Sequence, residues 1–95
     1  MLTDNWTTVK ALHPIGSLLE GVVEYHAPFG VFVDIGQEEI RGLVLLPEFN
    51  DEGSMHPAHY PRVGSKIVGL VLDYTPDNNQ IRLSVRPSKL RRETV

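Results

Sequence analysis

Glycine and proline divide this sequence into short apolar segments, and that punctuation limits what the chain can form. Residues 30–35 alternate strictly, with Val31 and Val33 on one side and Phe32 on the other, as in a half-buried strand. The same reasoning predicts four more strands, at residues 17–25, 40–46, 66–74 and 80–86. Gly21, inside the first strand, indicates a bend or bulge. Five short strands in 95 residues predict one small domain with a single core.

The spacing of the strands indicates how they close. A long loop at residues 50–61, after one predicted helical turn, separates the third strand from the fourth. We therefore predict an all-β fold, a five-stranded Greek-key β-barrel (OB-fold) with a short helical turn between strands 3 and 4. The predicted organisation is an N-terminal arm at residues 1–15, the barrel at 16–87 and a basic C-terminal tail at 88–95. The arm shows no clean period, so we expect it to dock on the domain rather than to join the core.

Composition excludes several classes of protein. The chain has no cysteine, which excludes disulfides and thiolate zinc sites and fits a cytoplasmic protein. Its apolar runs are too short to cross a membrane, and its first residues lack the layout of a signal peptide. No nucleophile–base pair and no phosphate-binding glycine loop is visible, so we predict no enzyme activity. His56 and His59 lack a third ligand nearby, and we expect neither a metal nor a cofactor.

The charge is distributed unevenly. The net charge of −3 argues at first against a nucleic-acid partner. However, residues 1–56 hold nine acidic and two basic residues, whereas residues 57–95 hold seven basic and three acidic ones. This gradient indicates either a basic surface at one end or an Arg-rich, solvated tail that serves solubility.

Three stretches together resemble the ribosomal protein S1-type RNA-binding domain, an OB-fold family. They are GVV at 21–23 with FGVFVDI at 29–35, GLVLLPEF at 42–49, and VGSK at 63–66 leading to IRLS at 81–84. The spacing between the stretches matches as well, so the resemblance covers about residues 15–87.

The resemblance implies a module that binds single-stranded RNA with low sequence specificity. Phe29 and Phe32 match aromatic positions of the family's RNA-binding surface, and Phe32 shares its strand face with Asp34, away from the core. Exposed rings give bases a surface for stacking. The alternative is structural: Phe29 packs over the barrel mouth, and the arm covers Phe32.

The chain also departs from the family pattern. Leu45 stands where the family commonly has a histidine, and Gln80 where some members have an arginine, so we expect weaker binding. Arg82 and Arg86, predicted on the solvent face of the fifth strand, offer phosphate contacts in compensation. Three basic residues of the tail extend these phosphate contacts, namely Lys89, Arg91 and Arg92. The alternative is that all of these basic residues are ordinary solvated charges.

A second function stays open. Val22, Val68 and Leu70 stand where the family usually has polar residues, on strands that pair in the barrel. They predict an exposed apolar patch that serves a protein partner or a homodimer, in a module that has lost most of its RNA affinity. The alternatives are that apolar residues of the arm cover this patch or that it is simply exposed.

Overall fold

The structure, a computed structural model, describes residues 5–52 and 56–90. Its helices and strands, in chain order, are α1 (Asn5–Leu12), β1 (Leu18–Ala27), β2 (Gly30–Asp34), β3 (Arg41–Leu45), β4 (Lys66–Thr75), β5 (Gln80–Ser84) and α2 (Pro87–Leu90). Short 3₁₀ turns follow β3 and precede β4. The predicted fold class and the helical turn between strands 3 and 4 are thus confirmed.

The strands form a closed barrel in the order β1-β2-β3-β5-β4. All neighbouring pairs are antiparallel except β3 and β5, which run parallel. β1 takes part in two pairings, with β4 through its first half and with β2 through its second. Gly21 lies just before this change of partner, where an added Cβ would stand 2.5 Å from Val33 Cγ1 and 2.7 Å from the Asp34 carbonyl oxygen. The strand therefore needs a residue without a side chain at this point.

The barrel interior is filled mainly by branched aliphatic residues. Its buried members are Val9, Leu19, Val23, Val31, Val33, Ile35, Ile40, Val44, Tyr60, Val71, Ile81 and Leu83. Tyr60, from the long loop, packs near Phe49, and its hydroxyl donates to the carbonyl oxygen of Ala27 at 2.9 Å. Its burial raises the pKa of the phenol. The loop is therefore anchored over the barrel end that carries the β1–β2 turn.

The N-terminal segment was predicted as an arm that docks on the domain without joining the core. It does pack on the barrel, but the structure corrects the second part of this prediction. Residues Asn5–Leu12 form α1, and Val9 is fully buried in the core. Trp6 donates from Nε1 to Asn79 Oδ1 at 3.3 Å and meets the Tyr74 ring edge-on at 5.8 Å. The Tyr74 hydroxyl in turn donates to the carbonyl oxygen of His13 at 2.8 Å. The helix α1 therefore covers the barrel end at the β4–β5 turn, with Val9 inserted into the core.

Two β-bulges shift the alternation of side chains. In β1 the pairing with β2 runs regularly to Val23 opposite Val33 and resumes with Tyr25 opposite Phe32, so Glu24 is the extra residue. A bulge adds one residue to one strand and reverses the faces of everything after it. Tyr25 therefore points outward, whereas plain alternation from Val23 would turn it inward.

The second bulge lies in β4. Val71 pairs with Leu83, and the next partners are Asp73 and Arg82, which leaves Leu72 as the extra residue. Asp73 consequently shares the outer face with Arg82.

The C-terminal end departs in part from the predicted strand and tail. β5 ends at Ser84, two residues before the predicted end, and α2 forms the helical turn expected near the start of the tail. Arg91 and Arg92 lie outside the described residues. Among the helices described, none has the length and apolar character to traverse a bilayer.

Candidate nucleic-acid interface

One row of outward side chains crosses four pairs of strands. The pairing partners are successively Tyr25, Phe32, Leu43, Arg82 and Asp73, from β1 through β2, β3 and β5 to β4. We call the surface around this row, together with Phe29 beside it, the aromatic face. It collects residues from all five strands because the two bulges bring its outer members into line.

Three rings occupy one end of the row. Tyr25 lies parallel to Phe32, with ring centroids 4.7 Å apart and planes 15° apart, and Phe29 meets Phe32 edge-on at 6.0 Å. Phe32 is only 8% exposed, while Tyr25 is 48% and Phe29 52% exposed. Such ring pairs contribute about 0.5–1.5 kcal/mol each beyond the area they bury. Phe32 is therefore a buried support, and the ring surface open to a ligand belongs to Tyr25 and Phe29.

Phe32 was expected to be an exposed ring and is instead buried, although it does not belong to the cluster that fills the barrel interior. Its cover comes from Tyr25 of the same sheet, whose ring is stacked on it. Tyr25 was missed by the sequence reasoning because its outward direction depends on the bulge at Glu24. The available signal was an aromatic residue, Tyr25, near the end of one strand, followed by the aromatic Phe32 in the next strand.

Leu45 and Arg82 line one pocket on this face. It has a volume of about 230 Å³ and is formed by Leu43, Leu45, Glu48, Leu72, Asp73, Thr75, Arg82 and Leu83. Leu45 is the last residue of β3, opposite Gly30, and offers an apolar wall. Arg82 is half-buried and has no ion pair with any of the described residues.

Gln80 lines a second pocket on the other side of the row. This pocket, of about 450 Å³, lies between Tyr25, Phe32, Glu39, Arg41, Asn78, Asn79 and Gln80. Arg41 Nε donates to Glu24 Oε1 at 2.7 Å, and this carboxylate raises the pKa of Arg41. The ion pair links the bulge of β1 to the start of β3 but is too exposed to stabilise the fold strongly.

Arg86 was expected on the solvent face of the fifth strand, yet it lies past the end of β5. Its Nε donates to Asp51 Oδ1 at 3.1 Å, and the same carboxylate accepts bonds from the Ser88 hydroxyl and backbone. These bonds, that of the Ser88 hydroxyl first, hold the pKa of Asp51 below its usual value. Arg86 therefore clamps a loop to α2 and stands apart from the row that holds Arg82.

The S1 RNA binding domain family matches residues 12–86, most of the chain. The chain belongs to this family. The S1 family is a binding module and not a catalytic one.

Individual relatives of this S1 domain are much longer proteins. It is 33% identical over 86 residues to small ribosomal subunit protein bS1 of Helicobacter pylori, covering 90% of this chain and 15% of that protein. A similar match, 33% identical, links it to a 4-hydroxy-3-methylbut-2-enyl diphosphate reductase of Clostridium acetobutylicum, of which it spans 13%. In structure it is similar to GSP13 from Bacillus subtilis, with a TM-score of 0.67, 28% identity and coverage of 79% of this chain and 57% of that one.

The predicted apolar patch of the S1 domain is smaller than expected. Val22 and Val68 are partly exposed, at 39% and 43%, but Leu70 is 8% exposed and therefore not part of an open surface. Leu70 pairs with the fully buried Ser84 on one side, and α2, which follows β5, packs against β4. The exposed apolar residues here are Leu18, Val22 and Val68, which we call the aliphatic face. The helix α1 contacts Asn79 and Tyr74, at the barrel end near the β4–β5 turn.

The histidine pair offers little to a metal. His56 and His59 have ring centroids 6.3 Å apart, and His56 Nδ1 accepts a bond from the Ala58 backbone at 3.0 Å. Within residues 5–52 and 56–90 no group of three potential ligands comes together.

Proposed function

We propose that this S1 domain binds single-stranded RNA on its aromatic face, with bases stacked on Tyr25 and Phe29. The observation that carries the proposal is the ring arrangement: two half-exposed rings are held against a buried third on the outside of an S1-family barrel. Stacking on an aromatic side chain contributes about 1–3 kcal/mol per base and accepts any base. Phe32 acts as a positioning residue that fixes the orientation of the Tyr25 ring through their stacking contact.

Phosphate contacts in this proposal fall mainly to Arg82. It stands two positions from Phe32 in the row and has no ion pair with the described residues, whereas Arg41, Arg86 and Lys89 each face a carboxylate. Arg86 and Lys89 add to the field but exchange one partner for another when they bind phosphate. Leu45 and Gln80 border the surface as an apolar wall and an amide. We infer that the affinity for single-stranded RNA is weak to moderate. We also infer that residues 16–87 are the binding unit and that the protein acts in the cytoplasm.

The test is a fluorescence-anisotropy titration with a short labelled uridine-rich RNA at several salt concentrations. We expect saturable binding with a double-logarithmic salt slope of about −0.7 for the phosphate contact of Arg82, and a steeper slope for each further contact made by Arg86 or Lys89. Wild-type protein that binds single- and double-stranded RNA of equal length with equal affinity would count against stacking.

The aliphatic face supports a second candidate, association with another copy of the chain or with a protein partner. Its motive is that Leu18, Val22 and Val68 are exposed on adjoining parts of β1 and β4. Sedimentation equilibrium tests it: a concentration-dependent dimer that Val68→Asp dissociates supports this function, and a monomer at all concentrations opposes self-association.

A further inference from the structure

The pocket lined by Leu45 and Arg82 has the size and chemistry of a base-reading site. Its volume of about 230 Å³ is below the ~300–1,000 Å³ of pockets for drug-sized ligands, so it suits one planar ring system. Leu43, Leu45 and Leu72 supply apolar walls, and Glu48, Asp73 and Arg82 supply the polar groups. Enzymes and binding proteins that take up a single base combine these same elements, apolar contact to its faces and hydrogen bonds to its edge.

Two polar atoms at this pocket lack hydrogen-bond partners. Glu48 Oε1 and Arg82 Nε are both shielded from solvent and unpaired in the described residues. Lys89 Nζ lies 3.6 Å from Glu48 Oε1, which is an ion pair but too long for a hydrogen bond. Such orphaned groups are uncommon in native proteins and are stabilised by any ligand that supplies the missing partners. The Glu48 side chain is 21% exposed and Arg82 half-buried, so a rotation of either long side chain turns its polar group to an incoming ligand.

Among the four RNA bases, guanine offers the best match to this set. Carboxylates require donors, and guanine presents two adjacent ones, the N1 and N2 groups, on a single edge. Its O6 and N7 acceptors lie on the neighbouring edge and form the commonest specific contact with arginine. Adenine and cytosine present only an exocyclic amine to a carboxylate, and uracil only one ring N–H.

We propose that this pocket takes up one guanine base of the bound strand, with Glu48 accepting from its N1–H and N2–H groups. Arg82 donates to the guanine O6 and N7 through two of its five N–H groups, which leaves the other three for the phosphate contact. The proposal rests on the proposed RNA-binding function and adds base selectivity to it. The pocket adjoins the three rings of the aromatic face through Leu43, which stands between Phe32 and Arg82 in the row. One base therefore enters the pocket while its neighbours stack on Tyr25 and Phe29.

The experiment compares uridine-rich RNAs of one length that carry a single guanosine, adenosine or cytidine at a central position. Wild-type protein is expected to bind the guanosine strand about tenfold more tightly than the adenosine strand, as for one good bidentate contact. Inosine in place of guanosine removes the N2 amine and 7-deazaguanosine removes N7, and each is expected to lower affinity severalfold. Equal affinity for all strands means that the pocket takes up no base and overturns the proposal.

Variants separate this site from the stacking platform. Glu48→Gln keeps the size of the side chain and is expected to lower the guanosine-to-adenosine ratio severalfold, while the contact of Arg82 with O6 and N7 remains. The matched control Glu20→Gln makes the same charge change on β1, opposite Val68, and is expected to keep the wild-type ratio. Tyr25→Ala lowers affinity for all strands alike. If no strand binds wild-type protein, the RNA-binding proposal itself fails, whereas tight but unselective binding refutes only the guanine pocket; the nucleoside substitutions on wild-type protein decide the matter even if Glu48→Gln does not fold.

Discussion

The aliphatic and aromatic faces of this barrel are built in part from the same two strands. β1 and β4 pair with one another through their first halves, in an unbroken register from Leu18 opposite Leu70 to Val22 opposite Lys66. Their second halves turn away to pair with β2 and β5, and in each strand the bulge lies where this second half begins. One strand thus contributes to two surfaces with different alternation.

The difference between the faces follows from the bulges. Before them, regular alternation places Val22 and Val68 outward among charged neighbours such as Glu20 and Lys66, which gives scattered aliphatic exposure. After them, the shifted alternation turns Tyr25 and Asp73 outward, so that they flank the row at both ends. A single extra residue per strand is enough to convert an ordinary strand surface into an ordered row of rings and charges.

The largest expected effect tests where the aliphatic face ends. Leu70→Asp should destabilise the fold by about 2–4 kcal/mol, because it places a charge at a buried position without a partner. Val68→Asp, two residues away but exposed, should cost about 1 kcal/mol or less, because its carboxylate stays in solvent and only faces Glu20 across the strand pair. Urea denaturation followed by circular dichroism measures both. Similar small losses for the two variants would show that Leu70 is as exposed as Val68.

The next effect tests the aromatic face against the aliphatic one. Tyr25→Ala should weaken binding of single-stranded RNA about tenfold, since it removes the more open partner of the stacked pair. Tyr25→Phe should retain most of the affinity because the ring surface is kept. Anisotropy titrations on these variants, with Val68→Ala as the control on the other face, give the comparison. A loss of RNA affinity in Val68→Ala as large as that in Tyr25→Ala would contradict the assignment of RNA binding to the aromatic face.

A smaller effect concerns the charges beside the rings. Arg82→Gln should reduce the magnitude of the double-logarithmic salt slope by about 0.7, the share of one phosphate contact on a single strand. Lys66→Gln, at the edge of the aliphatic face, should leave the slope unchanged. The slope comes from titrations at four or more salt concentrations. An unchanged slope in Arg82→Gln would assign the phosphate contacts to other basic residues of the protein.

The smallest effect lies outside both faces, at the clamp of Asp51 with Ser88 and Arg86. Because the pKa of Asp51 is lowered in the folded state, the clamp stabilises the fold above the unfolded carboxyl pKa of about 3.9 and loses this contribution as the pH falls through the folded value. The Tm difference between wild type and Asp51→Asn should therefore be constant near neutral pH and disappear in acid. Thermal melts across this pH range measure it, and a difference that persists in strong acid would contradict the assignment.

Much of the fold could be predicted from local patterns. The breaks at glycine and proline and the alternation of residues 30–35 placed the five strands within two residues of their observed ends. The placement of Phe29, Leu45, Gln80 and Arg82 on one side of the barrel agrees with the predicted RNA-binding set, although their contacts with RNA stay a prediction. Local alternation succeeds here because the period of a strand does not depend on its partner.

The remaining features depend on partners distant in sequence. α1 has eight residues, too few for a stable isolated helix, so its formation and the burial of Val9 require the barrel end on which it packs. Leu70 is covered although its neighbours on the same face are not.

The sequence by itself determined that this chain forms five short strands, which residues of β2 face inward, and that its barrel resembles the S1 family. Only the tertiary structure decided that Tyr25 covers Phe32 and that Asp73 joins Arg82. A bulge is a mismatch between two paired strands, and neither strand contains it alone. The direction of every side chain after the bulge is therefore a property of the pair.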